Sequence, residues 1–119
     1  WIKSGSRWWY RYEDGSYPKN KLCKIGNTWY GFDAAGWMRT GWVSYDKNWY
    51  YFASSGAMKT GWQKVGSYWY YMKADGKMAT GWQKIGGKWY YLDASGKMAA
   101  NRWVGNWYEN GSGVWVKSR

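Results

Sequence analysis

Short runs of aromatic and apolar residues alternate with polar residues along nearly the whole chain, and turn-forming residues separate the runs. In one clear example, Gly66-Ser67 lies between the runs 62–65 and 68–72. Alternation with a period of two is typical of β-strands, and two such runs around a two-residue turn predict a β-hairpin. The same turn place is occupied in other segments by Gly26-Asn27, Asp46-Lys47 and Gly86-Gly87. The pattern therefore predicts a series of short hairpins and no long helix.

These segments are copies of one sequence repeat. Thr-Gly-Trp occurs at 40–42, 60–62 and 80–82, a spacing of 20 residues. In each copy a second Trp follows the first after seven residues, and two Tyr and a Gly-x-Met sequence come after it. A single hairpin is marginally stable in water, so the copies are expected to stack on one another. We therefore predict an all-β fold, a solenoid of stacked two-stranded hairpins with about 20 residues per repeat, that forms one module over residues 1–119.

The copies differ at both ends of the chain. They begin near residues 1, 22, 42, 62 and 82, and a shortened terminal unit covers 103–119. Leu22 stands where the other copies have their first Trp. The terminal copy keeps Trp107-Tyr108 but has lost part of its first half, as terminal repeats that cap a stack often do. Asn110-Gly111 is expected to turn a final hairpin, and this end is a candidate homodimer contact.

Pairing across the predicted turns gives each hairpin two different aromatic faces. If Gly66-Ser67 is the turn, Lys64 pairs with Trp69 and Trp62 pairs with Tyr71. Directly paired residues share a face of the ribbon, so Trp62, Trp69 and Tyr71 project together. The opposite face carries Val65, Tyr70 and Met72. One face is expected to pack on the preceding copy and the other on the next.

Composition limits the core and the partners of this fold. The chain has 14 Trp and 13 Tyr but only 2 Phe and few aliphatic residues, so the predicted core is aromatic. Its 18 Lys and Arg against 7 Asp and Glu give a formal charge of +11, which favours a polyanionic partner and salt-sensitive association. No apolar stretch is long enough for a transmembrane helix. The amino terminus lacks the features of a signal peptide, so we expect that an export signal has been lost from this piece.

The residues favour binding over catalysis. There is no His, there is one Cys, and the carboxylates are scattered among turns and loops. No catalytic residues, metal ligands or cofactor site are therefore predicted. The aromatic faces remain, because several rings around a gap can hold a quaternary ammonium ion through cation–π interactions. The alternative is that all of these rings simply form the core.

Two central copies resemble the repeats of a known protein family. The segments Trp62-Gln-Lys-Val-Gly-Ser-Tyr-Trp69-Tyr70-Tyr71 and Trp82-Gln-Lys-Ile-Gly-Gly-Lys-Trp89-Tyr90-Tyr91, with Gly-Lys-Met-Ala-Thr-Gly-Trp between them, resemble the choline-binding repeats of pneumococcal and related streptococcal surface proteins. The resemblance covers nearly the whole chain. It implies a left-handed β-solenoid that attaches noncovalently to phosphocholine on wall teichoic and membrane lipoteichoic acids. It thus implies an extracellular, cell-wall-associated binding module that uses no cofactor, binds no nucleic acid and does not insert into the membrane.

The resemblance also implies which residues form the binding cages. Each cage takes two Trp from one repeat and the first Tyr of the Trp-Tyr-Tyr run from the next repeat. Two cages are Trp42, Trp49 and Tyr70, and Trp62, Trp69 and Tyr90, with Met58 and Met78 as floor residues. A first site is formed by Trp1, Trp8 and Tyr30. A terminal site is formed by Trp82 and Trp89 closed by Tyr108, with Trp107 or an open cage as the alternatives. Because Leu22 replaces a cage Trp beside Trp29 and Tyr50, that site is expected to be weakened or empty.

Two other functions are compatible with the residues. Aromatic faces also stack on sugars, so the repeats could bind glucan or another carbohydrate. The chain could also be the targeting part of a wall hydrolase whose catalytic domain lies on a missing segment. The basic residues Lys64, Lys84, Arg39 and Lys59 are expected to attract the phosphates of a teichoic acid, or else to form a merely solvated surface.

Overall fold

The computed structural model describes residues 1–118, and all regular secondary structure within them is β. The strands are β1 Ile2–Ser4, β2 Arg7–Trp9, β3 Lys21–Ile25, β4 Thr28–Phe32, β5 Gly41–Tyr45, β6 Asn48–Phe52, β7 Gly61–Val65, β8 Tyr68–Met72, β9 Gly81–Ile85, β10 Lys88–Leu92, β11 Arg102–Val104, β12 Trp107–Glu109 and β13 Trp115–Ser118. Consecutive strands pair as antiparallel hairpins, and β11, β12 and β13 form a three-stranded sheet. The predicted all-β series of hairpins is confirmed.

The register within the hairpins follows the predicted turns. On β7 and β8, Lys64 lies opposite Trp69 and Trp62 lies opposite Tyr71. Gly66 has a φ of 64°, which glycine adopts without the steric cost of a Cβ. The turn at Asp46 and Lys47 has positive φ at both residues, 50° and 66°, as a type I′ turn requires. The predicted pairing is therefore confirmed.

A short loop after the second strand returns the chain to the next hairpin. In the loop after β10, the Asp93 N–H donates to the Lys97 carbonyl over 2.9 Å. One carboxylate oxygen of Asp93 accepts from the N–H groups of Ser95 and Lys97, over 2.9 and 3.0 Å. The following Met98 then forms an isolated β-bridge with Leu92. This loop places a methionine at a fixed distance after each full hairpin.

The loop after β12 has the same hydrogen bonds, with Asn110 in place of Asp93. The Asn110 N–H donates to the Val114 carbonyl over 2.9 Å, and the Asn110 side-chain oxygen accepts from the N–H groups of Ser112 and Val114. Residues 110–114 thus connect β12 to β13. The expected final hairpin is present, but its connection is this five-residue loop and not a two-residue turn at Asn110-Gly111.

The last residue of the second strand is buried in the four hairpins from β3 to β10. In the full hairpins these residues are Phe32, Phe52, Met72 and Leu92, each at most 3% exposed. Their places alternate with those of Tyr50 and Tyr70, which are 6% and 8% exposed. The expectation of an aromatic core is therefore only partly right, because Met72 and Leu92 fill the same places as phenylalanine. In the terminal unit this place is occupied by Glu109.

The chain divides into two compact units, Trp1–Lys59 and Thr60–Arg119. The division falls in the segment that connects one repeat to the next. The winding sense of the predicted superhelix and the single module over residues 1–119 stay predictions. Between residues 1 and 118, no helix is long and apolar enough to cross a membrane.

Candidate aromatic cages

The unit 60–119 brings together three residues of one predicted cage. Trp62 on β7 and Trp69 on β8 have ring centroids 6.4 Å apart and planes at 87°. Tyr90 on β10 of the next hairpin lies 4.8 Å from Trp62, at 65°. The Trp pair shares one face because Trp62 and Trp69 are seven residues apart across a two-residue turn. Three rings from two hairpins thus meet at one place.

The methionine beside this cage is Met98. Its N–H donates to the Trp69 carbonyl over 2.9 Å, and Met98 and Trp69 line the same groove. The predicted floor residue Met78 packs against Gly96, where an added Cβ would lie 2.4 Å from the Met78 sulfur, as Met98 packs against Gly113. The methionine of this cage comes from the copy that supplies Tyr90, and the eight-residue step from Tyr90 to Met98 could have revealed this. By the same step Met78 goes with Tyr70, so its role as a floor residue of the Trp42–Trp49–Tyr70 cage stays a prediction.

The unit 1–59 contains an equivalent cage at its first hairpin. Trp1, Trp8 and Tyr30 line a cavity of about 300 Å³, and Met38 is the methionine in its wall. The centroids of Trp1 and Tyr30 are 4.7 Å apart. The Met38 N–H donates to the Trp8 carbonyl over 2.7 Å, which repeats the link between Met98 and Trp69. Phe32, the buried residue of the next hairpin, stacks on Trp1 at 5.8 Å.

The Leu22 copy has lost two rings. Leu22 lies opposite Gly31, where the full hairpins pair Trp with Tyr. An added Cβ on Gly31 would lie only 3.2 Å from the Phe52 ring, so Phe52 occupies the vacated space. The Leu22 side chain packs on the cluster of Val43, Tyr50 and Phe52. The sequence reasoning noticed Leu22 but not Gly31.

Met58, from the copy that begins at residue 42, lies beside this altered copy. Its side chain packs on the same cluster of Val43, Tyr50 and Phe52, and its N–H donates to the Trp29 carbonyl over 3.0 Å. The predicted floor residue Met58 therefore lies at the Trp29–Tyr50 site and not in the Trp42 cage, because the methionine comes from the copy that supplies the tyrosine. Trp29 itself is 44% exposed.

The next Trp pair, Trp42 and Trp49, has the same internal geometry as Trp62 and Trp69. The centroids of Trp42 and Trp49 are 6.4 Å apart at 85°, and Tyr51 lies 5.0 Å from Trp42. Tyr70, the predicted third member, belongs to the unit 60–119, so this combination stays a prediction.

The terminal cage is closed by tryptophans and not by Tyr108. Trp82, Trp89, Trp107 and Trp115 line a cavity of about 320 Å³. The centroids of Trp82 and Trp107 are 6.5 Å apart, and those of Trp107 and Trp115 are 5.6 Å apart. Tyr108 lies opposite Trp103, 5.2 Å from it, where it is also 5.0 Å from the Lys117 ammonium. The assignment of Tyr108 to this cage was therefore wrong, and the alternative, Trp107, is the residue that closes it.

The shortened hairpin explains this exchange. Trp103 and Tyr108 repeat the pairing and spacing of Trp82 and Tyr91, whose centroids are 5.1 Å apart. Trp107 therefore occupies the place of Tyr90 in the preceding hairpin, on the opposite face from Tyr108. The residues that are missing come from the turn end of the hairpin. Aligning the copies from the Asn110 loop backwards would have predicted this, including Trp115 in the place of Met98.

A comparison with protein families accords with this arrangement. The model of the choline-binding repeat matches residues 20–60 and 59–103. The chain belongs to this family. It is a choline-binding repeat module of the kind found in wall-associated proteins, and such repeats are binding modules and not catalytic domains. A comparison with curated proteins found no significant match.

Solved structures of choline-binding proteins have the same fold. Choline binding protein F from Streptococcus pneumoniae is 40% identical, with a TM-score of 0.92 over 98% of this chain and 40% of that chain; one of its structures is a complex with ipratropium. The modular autolysin LytC from the same organism is 38% identical, with a TM-score of 0.77 over 93% of this chain and 26% of that chain. The modular Cpl-1 endolysin, solved with a peptidoglycan analogue, is 40% identical, with a TM-score of 0.70 over 99% of this chain and 37% of that chain. This chain therefore spans at most about two fifths of each of these proteins.

The choline-binding repeats also form an aromatic cavity that the sequence reasoning missed. Trp9, Tyr17 and Trp37 line a cavity of about 290 Å³ in the unit 1–59. The centroids of Trp9 and Tyr17 are 5.5 Å apart, and the Arg7 guanidinium lies 5.4 Å from the Trp37 ring. Trp9 follows cage residue Trp8 directly, so it projects from the opposite face of β2. Trp37 could have indicated this cavity in the sequence, because other copies have Ala or Lys at the position before the methionine.

The electrostatics of the module are dominated by its basic residues. The Lys97 ammonium lies 4.3 Å from the Tyr68 ring, in a groove that also contains Trp69 and Arg102. Across residues 1–118, no group of three or more His, Cys, Asp or Glu side chains could hold a metal ion. Positive side chains therefore border the Trp69 cage.

Proposed function

We propose that this module anchors a protein to the bacterial cell surface by holding the phosphocholine groups of teichoic and lipoteichoic acids in its aromatic cages. The observation that carries the proposal is the convergence of Trp62, Trp69 and Tyr90, in which the aromatic rings of two hairpins meet at steep angles to one another. A trimethylammonium group has no ordinary N–H donor. Ring faces bind it by cation–π attraction. An ordinary ammonium ion is more strongly hydrated, so it would lose more hydration free energy on entering the cage.

The charge of the module supports the phosphate half of this ligand. Lys97 and Arg102 line a groove beside Trp69 that also contains Asp93, so two basic side chains and one acidic side chain lie near a phosphate attached to a choline at Trp69. The chain carries a formal charge of +11, which attracts a polyanionic teichoic acid over longer distances. Lys64, opposite Trp69 on the paired strand, adds to this charge.

The family relationship supports the same ligand class. Choline binding protein F has been solved with ipratropium, which carries a quaternary ammonium group. LytC and Cpl-1 are described as modular, so the full protein could join this module to a separate catalytic or effector part. In that case the module would target that part to the wall.

The competing ligand is a glucan or another carbohydrate. Competitive elution from a resin distinguishes choline binding from carbohydrate binding. The module should bind a quaternary-amine resin and should be eluted by millimolar choline but not by glucose polymers. A teichoic acid that carries phosphocholine should bind, and the same polymer stripped of its choline should not. Elution by glucose polymers with no effect of choline would reject the proposal.

A further inference from the structure

Among the ionisable residues within 1–118, Glu109 is fully buried. It is 0% exposed, and neither of its carboxylate oxygens has a hydrogen-bond partner among residues 1–118. Its place at the end of β12 is the one that Met72 and Leu92 occupy in the preceding hairpins. Burying an unpaired carboxylate is strongly unfavourable, so a buried acid is normally protonated or paired with a cation.

The position of Glu109 relates it to the terminal cage. Glu109 and Trp107 are two residues apart on β12 and share a face, and Trp115 lies directly opposite Glu109 on β13. In the first cage the equivalent residue, Phe32, stacks on Trp1, the first Trp of the preceding hairpin. The corresponding Trp for Glu109 is Trp82, which lines the same cavity as Trp107 and Trp115.

Few charged groups face this carboxyl group. Arg102 lies opposite Glu109 on β11, and Lys84 and Tyr91 lie on the same face of β9 and β10 as Trp82. Lys117 is on the other face of the terminal sheet, 5.0 Å from the Tyr108 ring. None of these groups is a hydrogen-bond partner of Glu109. The counter-charge of the carboxylate is therefore not supplied by a hydrogen-bonded protein cation within residues 1–118.

We propose that Glu109 is the fixed negative charge of the terminal cage, so that this cage binds an organic cation such as choline more tightly as pH rises. This role rests on the proposed function, since it assumes that the cages bind quaternary ammonium groups. The cage between Trp62, Trp69 and Tyr90 has the neutral residue Leu92 in the place of Glu109, and its affinity should not follow pH in this way.

Burial sets the pH range of the effect. Desolvation raises the pKa of Glu109 from 4.5 to about 7. A cation in the adjacent cavity favours the ionised form, because opposite charges attract strongly where water is excluded. Ionisation and choline binding therefore strengthen each other by the same factor.

The test follows choline binding at individual cages by NMR. The indole N–H of Trp115 reports the terminal cage, and that of Trp69 reports the Trp62–Trp69–Tyr90 cage in the same sample. Choline chloride is titrated at about pH 5.5 and about pH 8.5, on either side of the Glu109 transition. Choline carries a permanent charge and the chain has no His, so neither supplies a competing transition.

The expected result is that choline binds the Trp115 site about fivefold or more tightly at the higher pH, while the Trp69 site is unchanged. Two variants are compared: Glu109→Gln, which is neutral and of the same shape, and Glu109→Leu, which places the residue of the preceding hairpin at this position. Both should remove the pH response at Trp115 and leave Trp69 unaffected.

The outcomes separate two failures. If both indoles respond to choline but Trp115 responds equally at both pH values, or if its pH response survives in both variants, the role of Glu109 is overturned. If neither indole responds to choline at either pH, the proposed function itself is wrong.

Discussion

At the residue scale, the second tryptophan of each pair is much more exposed than a core residue. Trp49, Trp69 and Trp89 are 46%, 40% and 40% exposed, whereas Met72 and Leu92 are fully buried. Large exposed aromatic groups at repeated positions are typical of binding surfaces. The alternative that all of the rings form the core therefore does not describe these three residues, and Phe, Met, Leu and Val side chains share the core with Tyr50 and Tyr70.

The contribution of the closing tyrosine can be measured with two substitutions. Tyr90→Phe keeps the ring face 4.8 Å from Trp62 and should leave choline binding at this cage nearly unchanged. Tyr90→Leu removes the π face but keeps an apolar wall, and should weaken binding by about fivefold to thirtyfold, since a desolvated cation–π contact contributes about 1–2 kcal/mol. Isothermal titration with choline, after thermal unfolding has shown that both variants fold, gives the affinities. Equal losses in both variants would mean that the hydroxyl, not the ring, matters.

Glu109 also makes stability depend on pH. Its folded pKa of about 7 lies above its ordinary value of 4.5, so between these pH values the folded state holds a proton that the unfolded state has released. The free energy of unfolding should therefore fall as pH rises from about 4.5 to about 7 and then level off, by at most about 3 kcal/mol. Glu109→Leu should remove this fall and be more stable than the wild type at pH 8. Urea unfolding at several pH values without choline measures the free energy of unfolding. A wild-type free energy of unfolding that rises from about pH 4.5 to about pH 7 would contradict the prediction.

At the element scale, the hairpins could be predicted closely because their signals are local. The turn residues fix the register, and the register fixes which side chains share a face, so the cross-strand partners of Trp62 and Trp69 followed from spacing alone. The errors concerned contacts between elements. The methionine of each cage and the exchange of Tyr108 for Trp107 depend on the loops after the hairpins, and Gly31 became informative only beside Phe52.

One of these loops supports a cage from outside it. Gly113 has a φ of 80°, and an added Cβ would lie 2.4 Å from the Met98 sulfur. Gly113→Ala should displace Met98 and weaken choline binding at the Trp69 site, in addition to straining the loop. Gly111→Ala is the matched control in the same loop, because its Cβ would be 3.4 Å from the nearest atom and its φ is not in the left-handed region. NMR titration of the Trp69 indole compares them, and equal affinities in the two variants would show that Met98 is not needed.

At the scale of the whole molecule, the chain combines weak cages with a high positive charge. A single three-ring cage is expected to bind free choline at roughly millimolar concentration. A teichoic acid displays many phosphocholines, and engaging several of them raises the apparent affinity by about a hundredfold or more without any new contact. The chain spans at most about two fifths of the length of the solved proteins it resembles.

Salt separates the two contributions. Raising the salt concentration from about 0.05 to about 0.5 M should strongly weaken binding to a phosphocholine-bearing teichoic acid, because it screens the attraction between the basic surface and the phosphates. Binding of free choline should change little, since choline carries no phosphate. Surface plasmon resonance on immobilised teichoic acid and calorimetry with choline give the two curves. Teichoic acid binding that is insensitive to salt would remove the electrostatic part of the proposal.

The glycines against Met38, Met78 and Met98 limit how many ligands an array of given length can hold. A complete cage draws on three successive hairpins: Trp62 and Trp69 come from one, Tyr90 and Met98 from the second, and Gly113 from the third. The first cage follows the same rule, with Gly56 against Met38. An array must therefore be two hairpins longer than its number of complete cages. The terminal cage avoids this requirement by replacing the methionine with Trp115.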